Sequence, residues 1–319
     1  MTLLYQDVIF EGHKTGFHPE SPKRTQNLIQ RFEPWIKAGK VKQGTLSPIP
    51  ESLLGDIHTR EQIEQIKRLA AQGGGLIDSD TVVSSQSWQV ALSAAGAAVS
   101  AVEAVLQGRD QNALCLIRPP GHHATHKQSM GFCLVNNVAL AVKYAQKIHQ
   151  LDRVLVVDWD VHHGNGTQDI FYDDESVFFY SIHRFPFYPG TGHETETGRG
   201  AGLGTTLNVP MSYGCSREEY LQAFRAGLAK AVQDFRPDLL ILSAGFDAHK
   251  NDPVGSLGLE TEDFRSMTQD VLALANSYTQ GRLVSCLEGG YDIYALADSV
   301  EVHLDELQKS SGLGSMSRN

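Results

Sequence analysis

The chain has 319 residues, of which 41% are hydrophobic and 20% charged, a balance that excludes a disordered chain and suits one large α/β domain. Its net charge of -10 argues against direct nucleic-acid binding, whose usual footprint is a basic face, and is compatible with cationic partners. No basic start leads into an apolar run, and Met1–Phe10 carries Asp7, so no secretory signal is expected.

In chain order, Trp88–Gln107 is the first strong element. It is Ala-rich and interrupted by Gln89, Ser93, Ser100 and Glu103, which predicts a buried helix and not a membrane span. Strands are predicted at Ala113–Ile117, Arg153–Val157, Val177–Ile182, Leu239–Ser243 and Leu283–Leu287. Each is nearly continuous in apolar residues, as parallel strands buried on both faces are. Helices are predicted at Val135–His149, Arg217–Phe235, Glu262–Ser277 and near Tyr294–Lys309. Pro237-Asp238 supplies a helix-to-strand turn before Leu239. The alternation predicts an α/β fold in three layers, a mostly parallel central sheet flanked by helices with right-handed crossovers. One domain over residues 1–309 is expected, followed by a Ser- and Gly-rich loose tail, Ser310–Asn319.

The four cysteines, Cys115, Cys133, Cys215 and Cys286, form no C-x-x-C pair. They read as free thiols in a reducing cytoplasm.

In such folds the ligand site lies outside the carboxyl ends of the strands. Arg118-Pro119-Pro120-Gly121-His122-His123 follows the first predicted strand, and Asp158-Trp159-Asp160-Val161-His162-His163-Gly164-Asn165-Gly166 follows the second. Ala244-Gly245-Phe246-Asp247 and Glu288-Gly289-Gly290-Tyr291 follow the last two. Four strand ends thus carry histidines, carboxylates and a tyrosine to one rim. In an extended segment residues i and i+2 face the same side, so Asp160 and His162 reach one cation together. Asp247, on another strand end, is available as a third ligand. One imidazole and two carboxylates leave room for water and a substrate oxygen, and they suit Zn²⁺, Fe²⁺ or Mn²⁺ alike. Asp158 is placed to orient a neighbouring histidine or to help bind a monovalent cation.

These runs, with Gly131-Phe132-Cys133, His18-Pro19-Glu20-Ser21-Pro22-Lys23-Arg24 and Tyr188-Pro189-Gly190-Thr191-Gly192, resemble the ordered signature set of the histone deacetylase family, from about Tyr5 to Tyr291. The resemblance implies the arginase/deacetylase-like fold and a metal-dependent deacetylase. It implies Asp160, His162 and Asp247 as zinc ligands, with Fe²⁺ as an alternative ion, and His122 and His123 as tandem catalytic histidines. Tyr291 is implied as the donor to the oxyanion, and Asp158 as the hydrogen-bond partner of one histidine. Asn165 stands where some members carry a second Asp and the class II-like members carry Asn, so the second histidine lacks a carboxylate partner. Gly131, Phe132 and Tyr188 are implied as walls of a narrow tube suited to a methylene chain. Gly290 is implied beside it, Asp80 as a rim carboxylate gripping substrate amides, and Val254 as an apolar gate. Arg24 matches an arginine beside an internal acetate-release cavity, and a structural K⁺ is implied near Asp158, Asp160 and Ser181.

The chemistry expected is amide hydrolysis. A metal polarises the carbonyl and acidifies its bound water. His123 takes the water proton and returns it to the leaving amine. The expected substrate is an acyl-lysine peptide or protein, acetylated above all, with small acylated amines such as acetylpolyamines as the alternative. Two further readings, a non-catalytic binding protein and a two-metal ureohydrolase, fit the residues less well. The first discards a complete catalytic set, and the second needs more bridging carboxylates than the sequence offers.

Overall fold

The structure is a computed structural model that describes residues 1–316. The chain opens with β1 (Leu3–Tyr5), α1 (Lys23–Lys37), β2 (Lys42–Gln43) and α2 (Arg60–Ala71). A small antiparallel hairpin, β3 (Gly74–Leu76) and β4 (Val82–Ser84), precedes the long helix α3 (Ser87–Leu106). Then come β5 (Asn112–Cys115), α4 (Asn137–His149), β6 (Val154–Asp158), α5 (Asn165–Phe171), β7 (Val177–Arg184) and β8 (Thr206–Met211). The last third holds α6 (Arg217–Ala231), β9 (Leu239–Ala244), α7 (Thr261–Tyr278), β10 (Leu283–Leu287) and α8 (Ile293–Met316).

The main sheet has eight strands in the order β2-β1-β5-β10-β9-β6-β7-β8, and its pairings are parallel. Period-2 alternation divides each central strand between two cores. In β6, Val154 and Val156 join one apolar cluster with α3 and α4, while Leu155 and Val157 join the other with α6, α7 and α8. This is the three-layer architecture expected. The most apolar helix, α3, is mostly buried inside the protein, as a core helix requires.

The helix ends have local causes. Asn136 accepts from the Ala139 N–H at the start of α4, and Ser216 with Glu219 forms a reciprocal capping box on α6. The tail expected from Ser310 is instead helical as far as Met316, and Ser311 is buried with its hydroxyl donating to the Leu307 carbonyl at 3.3 Å. Serine side chains can satisfy themselves on a helix in this way, which composition alone does not reveal. Residues 317–319 lie outside the described residues.

Topology decides where the site falls. The four strands whose ends carry the polar runs, β5, β10, β9 and β6, are consecutive neighbours in the sheet. Their carboxyl ends therefore open on one shared rim.

Candidate metal centre and active site

The run after β6 bends at Asp160–His162, held by Asp158 Oδ1 and Asp160 Oδ1 accepting from the Asp160 and His162 N–H groups, yet its side chains still alternate. Trp159 and Val161 sink into the helix-covered core, and Asp158, Asp160 and His162 take the other side. Asp247 arrives from the end of β9, one residue past the core residue Phe246. Asp160, His162 and Asp247 each present a ligand atom, all within 4.8 Å of one another, and all three are buried. His162 Nδ1 lies 3.0 Å from Asp160 Oδ1 and 3.1 Å from Asp247 Oδ2.

The remaining lone pairs are held by backbone. Asp160 Oδ2 accepts from the Gly289 N–H at 2.8 Å, and Asp247 Oδ1 accepts from the Val161 N–H at 2.9 Å. A Cβ on Gly289 would stand 2.1 Å from Asp247 Oδ2, so only glycine lets the β10 end come this close. Asp247 Oδ2 is buried; His162 Nδ1 lies 3.1 Å from it but pairs with Asp160 Oδ1, and the oxygen has no well-aligned hydrogen bond among the described residues. Such an orphan is costly unless something positive binds it.

The electrostatics point the same way. Burial, and then the neighbouring Asp160, push the Asp247 carboxyl up to about 7. Burial would lower the His162 imidazole, but Asp160 and Asp247 outweigh it and raise it to about 9. Three side chains thus converge on a spot that calls for positive charge. A divalent cation fits that demand, and the mixed nitrogen and oxygen donors suit Zn²⁺, Fe²⁺ or Mn²⁺.

The tandem histidines sit in the turn after β5. The Glu288 carboxylate fixes that turn, accepting from the Gly121 N–H at 2.7 Å and the His122 N–H at 3.2 Å. His122 Nδ1 pairs with Asp158 Oδ2 at 3.0 Å, and His123 Nδ1 donates to Asn165 Oδ1 at 2.7 Å. Asn165 turns its Nδ2 toward Met130 Sδ at 3.4 Å, so its oxygen is the atom left for His123. The two rings, 4.0 Å apart, titrate in opposite directions. Burial would lower His122, but Asp160 and Asp158 raise it to about 10. Burial, then His122 and His162, push His123 well below its ordinary value. His122 therefore carries the charge and His123 is neutral, with Nε2 unprotonated.

Tyr291 follows Gly289 and Gly290 off β10. Its ring meets Phe132 edge-on at 5.7 Å, and the Arg24 guanidinium lies 5.0 Å from its centroid. Its hydroxyl makes no hydrogen bond among the described residues and lies within electrostatic reach of Asp247 and Asp160. Arg24 is fully buried. Its Nε donates to the Gly290 carbonyl at 2.6 Å, its Nη2 to the Glu288 carbonyl, and its Nη1 reaches Glu20 at 3.4 Å. Gly290 thus turns its carbonyl to Arg24 and makes the bend that carries Tyr291.

Gly131, Phe132 and Tyr188 gather around His123. The Tyr188 ring stands 5.1 Å from it, edge-on. Gly131 has φ of 55°, and a Cβ there would lie 2.5 Å from the His123 ring. Phe132 is held by its N–H to Thr81 Oγ1 at 3.2 Å and by the edge of His18 at 4.5 Å. His18 Nε2 in turn lies 3.1 Å from the Asp80 carbonyl, which puts Asp80 beside this wall. Val254 is half-buried on the loop after Asp247, its N–H donating to Asp252 Oδ1 at 2.9 Å. Asp158 and Ser181 are register partners on β6 and β7, and the Ser181 hydroxyl pairs with His183 Nδ1 at 2.9 Å.

Sequence reasoning missed three residues. Phe187 stacks on His162 at 5.1 Å and 15°, with the Arg184 guanidinium 4.0 Å above its other face. Glu288 was quoted in a motif without its task of fixing the tandem-histidine turn. Asp252 accepts from the Tyr291 N–H at 2.7 Å. Nothing in the sequence said which distant backbone Asp252 would hold.

Residues 18–307 match the model of the histone deacetylase domain. The chain is 38% identical over 293 residues to a probable deacetylase of Archaeoglobus fulgidus, covering 91% of this chain and 81% of the relative. It is 38% identical over 277 residues to a histone deacetylase-like amidohydrolase of Pseudomonas aeruginosa, covering 86% and 72%. Among solved structures, the HDA15 HD domain superposes with a TM-score of 0.89 at 33% identity, over 97% of this chain and 89% of that one.

Proposed function

The chain belongs to the histone deacetylase domain family, and on that premise we propose that it is a zinc-dependent amidohydrolase that removes acetyl groups from lysine side chains of proteins or peptides. The observation that carries the proposal is the buried triad Asp160, His162 and Asp247, with its orphaned Asp247 oxygen, set beside a neutral His123.

Bound among those three residues, a divalent ion supplies Lewis acidity toward the amide carbonyl and toward water. The chain's own groups do the rest. His123 has its Nδ1 proton fixed on Asn165, so Nε2 is the atom that takes the proton of the attacking water. The same nitrogen hands that proton to the departing amine, which would otherwise leave as an unstable anion. His122, charged against Asp158, keeps positive charge next to His123 and holds its neighbour neutral. Tyr291 brings a free hydroxyl, and burial, with Asp247 next, raises it so that it keeps its proton. It donates that hydrogen bond to the oxygen on which negative charge develops. Phe132 and Tyr188 flank the methylenes of the substrate and keep water from the amide.

Val254 supports lysine over a polyamine, since an apolar gate gives no electrostatic gain to a second ammonium. Its modest size supports entry of acyl chains longer than acetyl. The proposal includes a structural K⁺ near Asp158, Asp160 and Ser181. It also includes a cytoplasmic location, supported by the free thiols Cys115, Cys133, Cys215 and Cys286. The test is a panel of acetyl-, butyryl- and octanoyl-lysine peptides with acetylated polyamines, assayed with Zn²⁺ and after chelation. Acetyl-lysine hydrolysis that chelation abolishes supports the proposal. Turnover confined to acetylpolyamines transfers it to small amines.

A further inference from the structure

Tyr291 has to be held in place without help from its own hydroxyl, which has no hydrogen-bond partner among the described residues. It also follows two glycines, and Gly290 has φ of 118°. A segment with that freedom needs an anchor on its backbone. The carbonyl side has one in Arg24. The N–H side is held by Asp252, whose carboxylate is buried and has no ion-pair partner among the described residues.

Asp252 uses its two oxygens for two different loops. Oδ1 accepts from the Val254 and Gly255 N–H groups, both at 2.9 Å. Oδ2 accepts from the Tyr291 N–H at 2.7 Å and the Asp292 N–H at 3.4 Å. The first pair belongs to the loop that starts at Asp247 and carries the gate. That loop is further tied to the metal triad, because the Ser256 N–H donates to the Asp247 carbonyl at 2.8 Å. A carboxylate with no cation beside it is a costly group to bury, and four backbone donors are what offset that cost.

We propose that Asp252 is a positioning residue for catalysis: it locks the backbone of Tyr291 to the gate loop, and so holds the Tyr291 hydroxyl over the site formed by Asp160, His162 and Asp247. The inference rests on the amidohydrolase reading. It predicts that the gate loop and Tyr291 move as one unit, that the effect of Asp252 on kcat runs through Tyr291, and that its hold on Val254 and Gly255 bears on KM.

The experiment is a double-mutant cycle on acetyl-lysine peptide with the metal-loaded protein. Asp252→Asn is isosteric, but its amide keeps one acceptor oxygen and aims an N–H₂ group at the other pair of donors. Asp252→Glu keeps the charge and displaces the carboxylate, so the cycle does not depend on one variant folding. Each is expected to lower kcat about tenfold, the scale of a misplaced oxyanion donor, with metal content equal to that of the unmodified protein. In a Tyr291→Phe background each is expected to cost less than about twofold more, because the donor it positions is already gone. Losses that multiply in that background, or a kcat equal to that of the unmodified chain, overturn the proposal. If the unmodified chain is inert on acyl-lysine, the amidohydrolase reading fails instead. The coupling is then read from hydrogen exchange, where Asp252→Asn should speed the amides of Val254, Gly255, Tyr291 and Asp292 together, and an unchanged Tyr291 amide overturns it.

Discussion

His122 and His123 are chemically identical neighbours whose Nδ1 partners differ, a carboxylate oxygen of Asp158 for the first and an amide oxygen of Asn165 for the second. The difference is testable at the level of one substitution. A carboxylate beside an imidazole stabilises its charged form, so Asn165→Asp raises the His123 pKa. A general base works unprotonated, so the acidic limb of the kcat/KM profile should move to higher pH. A pH–rate series that leaves this limb in place removes His123 from the role of base. For Tyr291, loss of the hydroxyl in Tyr291→Phe should lower kcat by at least about tenfold, out of roughly 3 kcal/mol that such a donor supplies. Metal content measured on the same sample should not change. Equal activity would take Tyr291 out of the reaction.

The elements show what could be read in advance and what could not. The strand Leu283–Leu287 and the helices α3 and α4 appear within about two residues of expectation, because long apolar runs and, for α4, the Asn136 cap dominate their local physics. The strands β1, β2 and β8 were invisible. β1 and β2 are three and two residues long, and β8 is an edge strand with Pro210 near its end. The helix α1 was hidden for another reason. Arg24 occupies an inward position that a hydrophobic pattern would assign to an apolar residue, and Pro34 sits inside the helix. The candidate site was legible as a set of short runs, since each strand end carried its polar residues within a few positions. Phe187 and Asp252 escaped because their partners are distant in sequence.

One element-level contact carries a pH signature. His303 on α8 joins Thr268 on α7 at 2.7 Å and Ser285 on β10 at 2.9 Å. Burial holds its imidazole down to about 3. Between that value and the ordinary 6.5, the unfolded chain binds a proton that the folded chain refuses. The stability contributed by neutral His303 is therefore complete above about pH 6.5 and is lost as pH falls toward about 3. Burial lowers His13 and His58 to about 4 as well, so they act in the same sense. The melting temperature should drop as pH falls below about 6.5, and the drop should be shallower in His303→Gln. An identical slope in that variant would mean that His303 stays protonated in the folded protein.

At the scale of the whole molecule, the sheet order turns scattered motifs into a site. The ends of β5, β10, β9 and β6 lie side by side, so the loops that leave them bring residues from His122 to Tyr291 together on one rim. The same arrangement buries the Asp160, Asp158 and Asp247 carboxylates in one region of an acidic protein; His122 answers Asp158, and a divalent ion would answer Asp160 and Asp247. Amide hydrolysis by this chain is therefore expected to require a divalent ion bound by Asp160, His162 and Asp247. The most direct measurement follows metal content and acetyl-lysine hydrolysis on one sample through chelation and return of Zn²⁺, beside Asp247→Asn. The expected result is one divalent ion per chain, activity that leaves and returns with it, and neither ion nor activity in the variant. Full hydrolysis by chelated, metal-free protein would contradict it.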